Sequence, residues 1–262
     1  MNTAFEKINF FIKNQVATIS LNRPDVLNSF NYSMADEVIE AFKTCENNNN
    51  IRAIILTGEG RAFCAGQDLE EATGNNAPSI DKIVEHTYNP ILTAIRNLPK
   101  PIICAVNGVA AGAGANIAIA CDITFACESA NFIQSFTNIG LVPDSGGTFN
   151  LPRLIGIQNA AALMFSGDKL SAIEAERLGL IYKCTTDEKL METVISYAEK
   201  LAKRPTKSIG LTKELLNQSV TNNLYDQLEM EKKYQAISAQ SYDHSEGIKA
   251  FFEKRKPEYK GN

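Results

Sequence analysis

The chain has 262 residues, a formal net charge of −4 and 44% hydrophobic residues. That is enough to bury a large core as one α/β domain, or as one such domain with a helical appendage. The acidic balance, with a pI near 5.4, gives no bulk reason to bind nucleic acid or a membrane surface, and no apolar run is long enough to span a bilayer.

Phe5–Ile12 and Val16–Leu21 carry β-branched and aromatic residues on either side of Lys13-Asn14-Gln15, which predicts a hairpin. Glu6 and Lys7 interrupt Met1–Ile12 where a secretory peptide needs an apolar stretch, so a cytoplasmic protein is expected. After the break at Asn22–Asp25, Ser33 is a suitable N-cap for a helix through Val38, Ile39 and Phe42 that stops at the Asn47–Asn50 run. Ala53–Thr57 reads as a short buried strand and Gly58–Gly74 as a loop. Ser79–Asn97 has helical spacing, with Pro90 expected to kink or split it. Pro101–Val106 is a second buried strand, and the small residues Val109–Gly114 lead into an apolar helix at Ala115–Ala120. Asp122–Ala126 and Asn131–Ile133 follow as strands. A strand, a glycine-rich loop and a buried helix thus recur at Ala53–Gly66 and Ile102–Gly114, which suggests stacked repeats rather than one flat Rossmann sheet.

Beyond Gly147 strand character almost vanishes. Helices are predicted at Ala160–Phe165, Ala172–Leu178, Glu188–Lys203, Thr206–Asn217, Leu224–Ala239 and Ser245–Glu253, with Ile181–Thr185 extended. The expected division is a core over 1–200 and a helical oligomerisation region over 201–262.

Six cysteines, at 45, 64, 104, 121, 127 and 184, form no Cys-x-x-Cys pair and read as reduced core residues. His86 and His244 have no partner at ligand spacing, which argues against a zinc site. Gly112-Ala113-Gly114 after a strand invites a dinucleotide reading, but the third glycine position is Ile117. Asp144 is different: between Ser129 and Gly167 it is the sole acidic residue, set among apolar, small and turn-forming neighbours. It reads either as part of a Pro-Asp-Ser-Gly turn that caps the next helix, or as a desolvated carboxyl tuned for proton transfer. Two small-residue turns ahead of helices, at Gly66 and Gly112–Gly114, each read alone as close helix packing, but together with a lone carboxylate downstream they point to unpaired backbone N–H groups of the kind that hold an oxyanion.

These stretches resemble the enoyl-CoA hydratase/isomerase, or crotonase, superfamily. Leu21-Asn22-Arg23-Pro24, Ala62–Leu69, Val106–Gly114, Ala120-Cys121-Asp122, Gly146-Gly147-Thr148 and Ala250–Pro257 look like family motifs in family order, over nearly the whole chain. The resemblance implies an α/β crotonase (ClpP/crotonase-like) spiral of ββα repeats with a C-terminal helical trimerisation region, in a homotrimer or hexamer. It implies an acyl-CoA thioester substrate and no separate cofactor, since coenzyme A is part of the substrate. The oxyanion-hole N–H groups carry over to Gln67 and Ala113. The coenzyme A contacts carry over to Asp25, Val26, Leu27, Cys64, Ala65, Gln67, Asp68 and Leu69, and to Phe251 and Lys254 from a neighbouring subunit. The basic residue that many relatives have at Asp25 is absent. The two glutamates of water-adding members correspond to Asn116 and Phe136, so hydratase activity is expected to be weak or absent. The His and Trp of the 4-chlorobenzoyl-CoA dehalogenases correspond to Asn89 and Phe136, which disfavours that hydrolysis. Asp144 falls where some isomerases and the 4-chlorobenzoyl-CoA dehalogenases place their Asp, with Phe136, Leu141 and Val142 expected to wall the acyl pocket. Gly-Leu-Val-Pro-Asp-Ser-Gly-Gly-Thr is most similar to the isomerases that turn a phenylacetyl-CoA ring epoxide into an oxepin. The expected reaction is that rearrangement, a 3-enoyl to 2-enoyl double-bond shift, or both; the alternatives are a generic fatty-acid Δ3,Δ2-enoyl-CoA isomerase and a silent acyl-CoA binder.

Overall fold

The computed structural model describes residues 5–74 and 77–262; residues 1–4, and Asn75 and Asn76 within Asp68–Tyr88, the stretch on which the sequence leads one to expect the acyl-pocket shape to depend, lie outside the described residues. Strands β1 (Ile8–Lys13) and β2 (Val16–Leu21) pair antiparallel around Asn14 and Gln15, whose φ values of 50° and 65° suit a two-residue hairpin turn. The first strand starts at Ile8 rather than Phe5 because the Glu37 carboxylate takes the N–H groups of Glu6, Lys7 and Ile8. Helix α1 (Tyr32–Asn47) is capped by Asn31, not Ser33: Asn31 Oδ1 accepts from Met34 N at 3.0 Å. Phe30 is pinned in extended pairing with Gln67, so the chain turns helical directly after it.

Three turns of a spiral follow, each giving one strand to each of two sheets. The first holds β3 (Ala53–Gly58), β4 (Ala62–Cys64) and α2 (Leu69–Thr73). Then come α3 (Ile80–Ile83), a π turn at Val84–Tyr88 and α4 (Asn89–Asn97). The second turn holds β5 (Ile102–Val106), β6 (Val109–Ala111) and α5 (Ala113–Ala120). The third holds β7 (Ile123–Cys127), β8 (Asn131–Ile133) and a 3₁₀ turn at Ser135–Ile139. Helices α6 (Gly147–Ile155) and α7 (Ile157–Ser166), strand β9 (Lys169–Ser171), helix α8 (Ala172–Leu178), strand β10 (Lys183–Thr185) and helix α9 (Leu190–Ala202) complete this part. Helices α10 (Thr206–Ser219), α11 (Leu224–Ala239) and α12 (Tyr242–Phe252) close the chain.

The larger sheet runs β1-β2-β3-β5-β7-β10 and is parallel from β2 onward; the smaller runs β4-β6-β8-β9. The middle strands β3 and β5 are buried along almost their whole length, as continuous apolar runs require when both faces are covered. The expected loop at Gly58–Gly74 therefore holds a strand and a helix. Strand β4 is three residues long, too short for alternation to show, and Asp68 caps α2 by accepting from Glu70 N at 3.1 Å. Strand β9 was not expected either; it pairs antiparallel with β8. The expected Ser79–Asn97 helix is split by the π turn just before Pro90, which relieves the clash of a proline ring with the carbonyl four residues back.

Buried cations fasten the helical layer. Arg52 donates to Thr206 Oγ1 and Tyr259 O, both at 2.8 Å, and Lys213 Nζ meets Asp122 Oδ2 at 2.8 Å. Lys100 Nζ donates to the carbonyls of Cys45, Glu46 and Asn48 and so closes the C-terminal end of α1. Cys45, Cys64, Cys104, Cys121 and Cys127 are buried and Cys184 is half-buried, all as free thiols. Among the described residues no helix is long and apolar enough to cross a membrane.

Candidate active site

Glycine brings the two small-residue turns together. A Cβ on Gly66, where φ is +98°, would lie 3.1 Å from Ala111 O and 3.8 Å from Ala113 N, and a Cβ on Gly114 would lie 2.3 Å from Cys64 O. The turn at Cys64–Gln67 and the start of α5 are thus in backbone contact that no side chain at either position could share. Ala113 is the first residue of α5, where an N–H has no intrahelical acceptor, and Gln67 N lies between Gly66 O and Asp68 N, which both bond Phe30. Among the described residues neither Gln67 N nor Ala113 N donates to a protein acceptor.

Asp144 approaches the same place through α5. Asn116 sits one turn after Ala113, on the same helix face, and its Nδ2 donates to Asp144 O at 2.9 Å. Gly147 N donates to the same carbonyl at 2.9 Å. The cap of α6 is Gly146, without a side-chain acceptor, so the capping reading of Asp144 does not hold. The main chain forms the turn and leaves the carboxylate free; among the described residues its one side-chain partner is Ser145 Oγ, 2.8 Å from Oδ1. Burial raises the Asp144 pKa above the ordinary carboxylate range, and the Ser145 hydroxyl and the residue's own N–H only partly oppose this.

Tyr88 escaped the sequence reading. Its hydroxyl donates to Gln67 Oε1 at 2.7 Å, and its phenol is pushed well above the usual range by burial first, then by the neighbouring Cys64 and Asp144 groups. It belongs to the π turn, whose register an unbroken helical period misplaces. Cys64 is buried and its thiol is pushed up to about 12, which leaves it inert as a nucleophile.

Of the residues expected to contact coenzyme A, Asp25 to Leu27 and Cys64 to Leu69 form one edge: Ala65 N donates to Leu27 O at 3.0 Å. Asp25, Val26 and Leu69 are exposed, whereas the Asp68 carboxylate is engaged by Arg23 at 2.8 Å and by the α2 cap. Phe251 and Lys254 lie elsewhere in the single chain. Phe251, 79% exposed, borders a groove of about 1050 Å³ with Leu228, Tyr234, Ile248 and Tyr259, all from the last helices and the tail. That groove contains neither turn and not Asp144. Of the expected acyl-pocket wall, Phe136 is buried beside Gly112, where a Cβ would lie 3.8 Å from its ring, and Leu141 is half-buried. Val142 is 81% exposed and excludes no water in the single chain.

Residues 11–262 match the family model described as Enoyl-CoA hydratase/isomerase. A 1,2-epoxyphenylacetyl-CoA isomerase of Escherichia coli is 45% identical over 95% of this chain and 97% of its own. A trans-2-decenoyl-(acyl-carrier-protein) isomerase of Streptococcus mutans is 34% identical over 98% and 99%. The crystal structure of an enoyl-CoA hydratase from Bacillus anthracis superposes with a TM-score of 0.91 at 36% identity, covering 98% of this chain and all of the other. The spiral of ββα turns is therefore a crotonase fold, and the chain belongs to the enoyl-CoA hydratase/isomerase family.

Proposed function

We propose that the protein is an acyl-CoA isomerase in which Asp144 serves first as base and then as acid. The observation that carries this reading is a lone desolvated carboxyl whose residue is tied, through its backbone carbonyl, to Asn116, one helical turn after the free Ala113 N–H; by resemblance, Asn116 and Phe136 stand where water-adding members carry glutamates. Gln67 and Ala113 N–H hold the thioester oxygen and stabilise the enolate formed when Asp144 removes a proton from C2. With a 3-enoyl substrate the charge spreads to C4, the same carboxyl returns the proton there, and the double bond ends conjugated with the thioester. With a ring epoxide on the acyl group, the enolate electrons drive ring opening. The name of the Escherichia coli relative favours the ring substrate. The name of the Streptococcus mutans relative favours a straight chain, and that is the second reading.

A panel of acyl-CoA thioesters tests both. Migration of a double bond in straight-chain 3-enoyl thioesters, conversion of a ring epoxide, or both, is the expected result. Binding of coenzyme A esters with no conversion would make the protein a silent binder, and hydration of 2-enoyl thioesters at comparable rates would overturn the isomerase assignment. The pH dependence is a further test. The base must be ionised, so kcat/KM is expected to fall as pH drops through the Asp144 pKa, with a midpoint above about 4, the ordinary aspartate value. A midpoint at or below that value would mean that the working carboxyl is solvated. Exposed Leu224, Tyr225, Leu228, Phe251 and Phe252 on the last helices support assembly with further copies, and mass measurement in solution reads the number.

A further inference from the structure

Asn116 is wholly buried, and its orientation follows by elimination. Asp144 O is a carbonyl and can only accept, so Asn116 must present Nδ2 to it, at 2.9 Å. Asn116 Oδ1 then faces Gln134, which must present Nε2, at 2.8 Å. Gln134, itself buried, is left with Oε1 turned away from every donor among the described residues. One backbone carbonyl thus fixes both amides.

The turn that receives this contact is held against its own preference. Ser145 has φ of 50° and is buried, and Gly146 follows with φ of 66°. Two successive left-handed residues, one of them not glycine, are unfavourable without outside support. Asn116 supplies that support at two points: it bonds Asp144 O, and its amide lies so close to Gly147 that a Cβ there would come within 2.3 Å of Nδ2.

We infer that the Gln134–Asn116 amide pair is a positioning device for the Asp144 carboxylate. It uses, for structure, the place where water-adding relatives carry an acid. The inference rests on the reading of Asp144 as the base. A carboxylate misplaced by about 1 Å is enough to cost on the order of 100-fold in turnover, while the binding of a long thioester through its other contacts is little affected.

The experiment uses the full chain and a 3-enoyl-CoA thioester on which the parent turns over. Asn116→Ala is expected to lower kcat by about 30- to 100-fold with KM within about threefold. Gln134→Met is expected to lower kcat by about five- to tenfold and to melt somewhat below the parent yet still fold, because it exchanges one buried unpaired acceptor, Gln134 Oε1, for another, Asn116 Oδ1, and loses one hydrogen bond. Combining Asn116→Ala with Asp144→Asn should give no loss beyond Asp144→Asn alone, since the device acts only through that carboxylate. If both amide variants keep the parent kcat while Asp144→Asn is inactive, the device is refuted and the base reading stands. If the double variant loses activity multiplicatively, Asn116 acts independently of Asp144 and the inference is wrong. If Asp144→Asn itself turns over at the parent rate, the base reading falls and takes this inference with it. Should Asn116→Ala not fold, Gln134→Met decides by the same comparison of kcat.

Discussion

Asp144→Asn is expected to lower kcat for the 3-enoyl to 2-enoyl shift by about 10³-fold or more, at the upper part of the range for removing a positioned general base. The size follows from the absence of a substitute. Asn116 is an amide tied to two partners, Phe136 has no titratable group, and the Tyr88 phenol is held protonated by burial. The asparagine is nearly isosteric, and it can still accept from Ser145 Oγ. KM is therefore expected to stay within a few-fold, because the loss falls on a step in which the proton moves. Stability should move the other way. Folding desolvates the carboxyl and raises its pKa, so the ionised parent carries a penalty that asparagine lacks. The contribution of a group with a raised folded pKa is fully present below the unfolded value, about 4, and is lost as pH rises through the folded value. Asp144→Asn is accordingly expected to melt higher than the parent at pH 7, and this advantage should shrink away towards pH 4. Parent-like turnover in the purified variant would remove Asp144 from the chemistry. A lower melting temperature at pH 7 would show that the carboxylate is well solvated in the fold.

How much of this was legible in the sequence depended on the length scale of each signal. The buried strands at Ala53–Gly58 and Ile102–Val106 are long enough for apolar runs to show, and the helices at Ala172–Leu178 and Leu224–Ala239 carry their own boundaries. The second sheet was missed in part because β4, β6 and β9 have three residues each, and a three-residue strand has no period. Asp144 was visible as a carboxyl in the wrong company, but its freedom from capping was not. That depends on Gly147 N and Asn116 Nδ2 satisfying its carbonyl, one of them from a helix 28 residues earlier in the chain. Tyr88 was hidden because a π turn shifts its register, and Gln134 because a buried glutamine after a short strand carries no local mark. The contact between Gly66 and Ala111 is invisible for the same reason: glycine announces freedom, not what it lies against.

Ala113→Pro is expected to lower kcat by about 10² to 10³-fold, the range for losing one oxyanion donor, with the fold retained. The position suits the substitution. Ala113 is the first residue of α5, where proline's fixed φ matches the helix and the missing N–H costs no intrahelical bond. The residue before it, Gly112, sits at φ 52° and ψ −126°, outside the helical region that a following proline disfavours. What is removed is the Ala113 N–H, one of the unpaired donors at the helix end, and the ring carbon that replaces it would occupy the space proposed for the thioester oxygen. Both effects fall most heavily on the enolate, where the oxygen carries its greatest charge, so kcat should suffer far more than KM. Ala113→Gly keeps the N–H and is the control, expected to hold turnover within a few-fold; circular dichroism and melting curves check that each variant folds. Gln67 N remains in the proline variant, which is why a residual rate is expected rather than none. If Ala113→Pro folds and turns over within tenfold of the parent, the thioester oxygen is not held at the start of α5. The convergence of the two turns would then be a matter of packing alone.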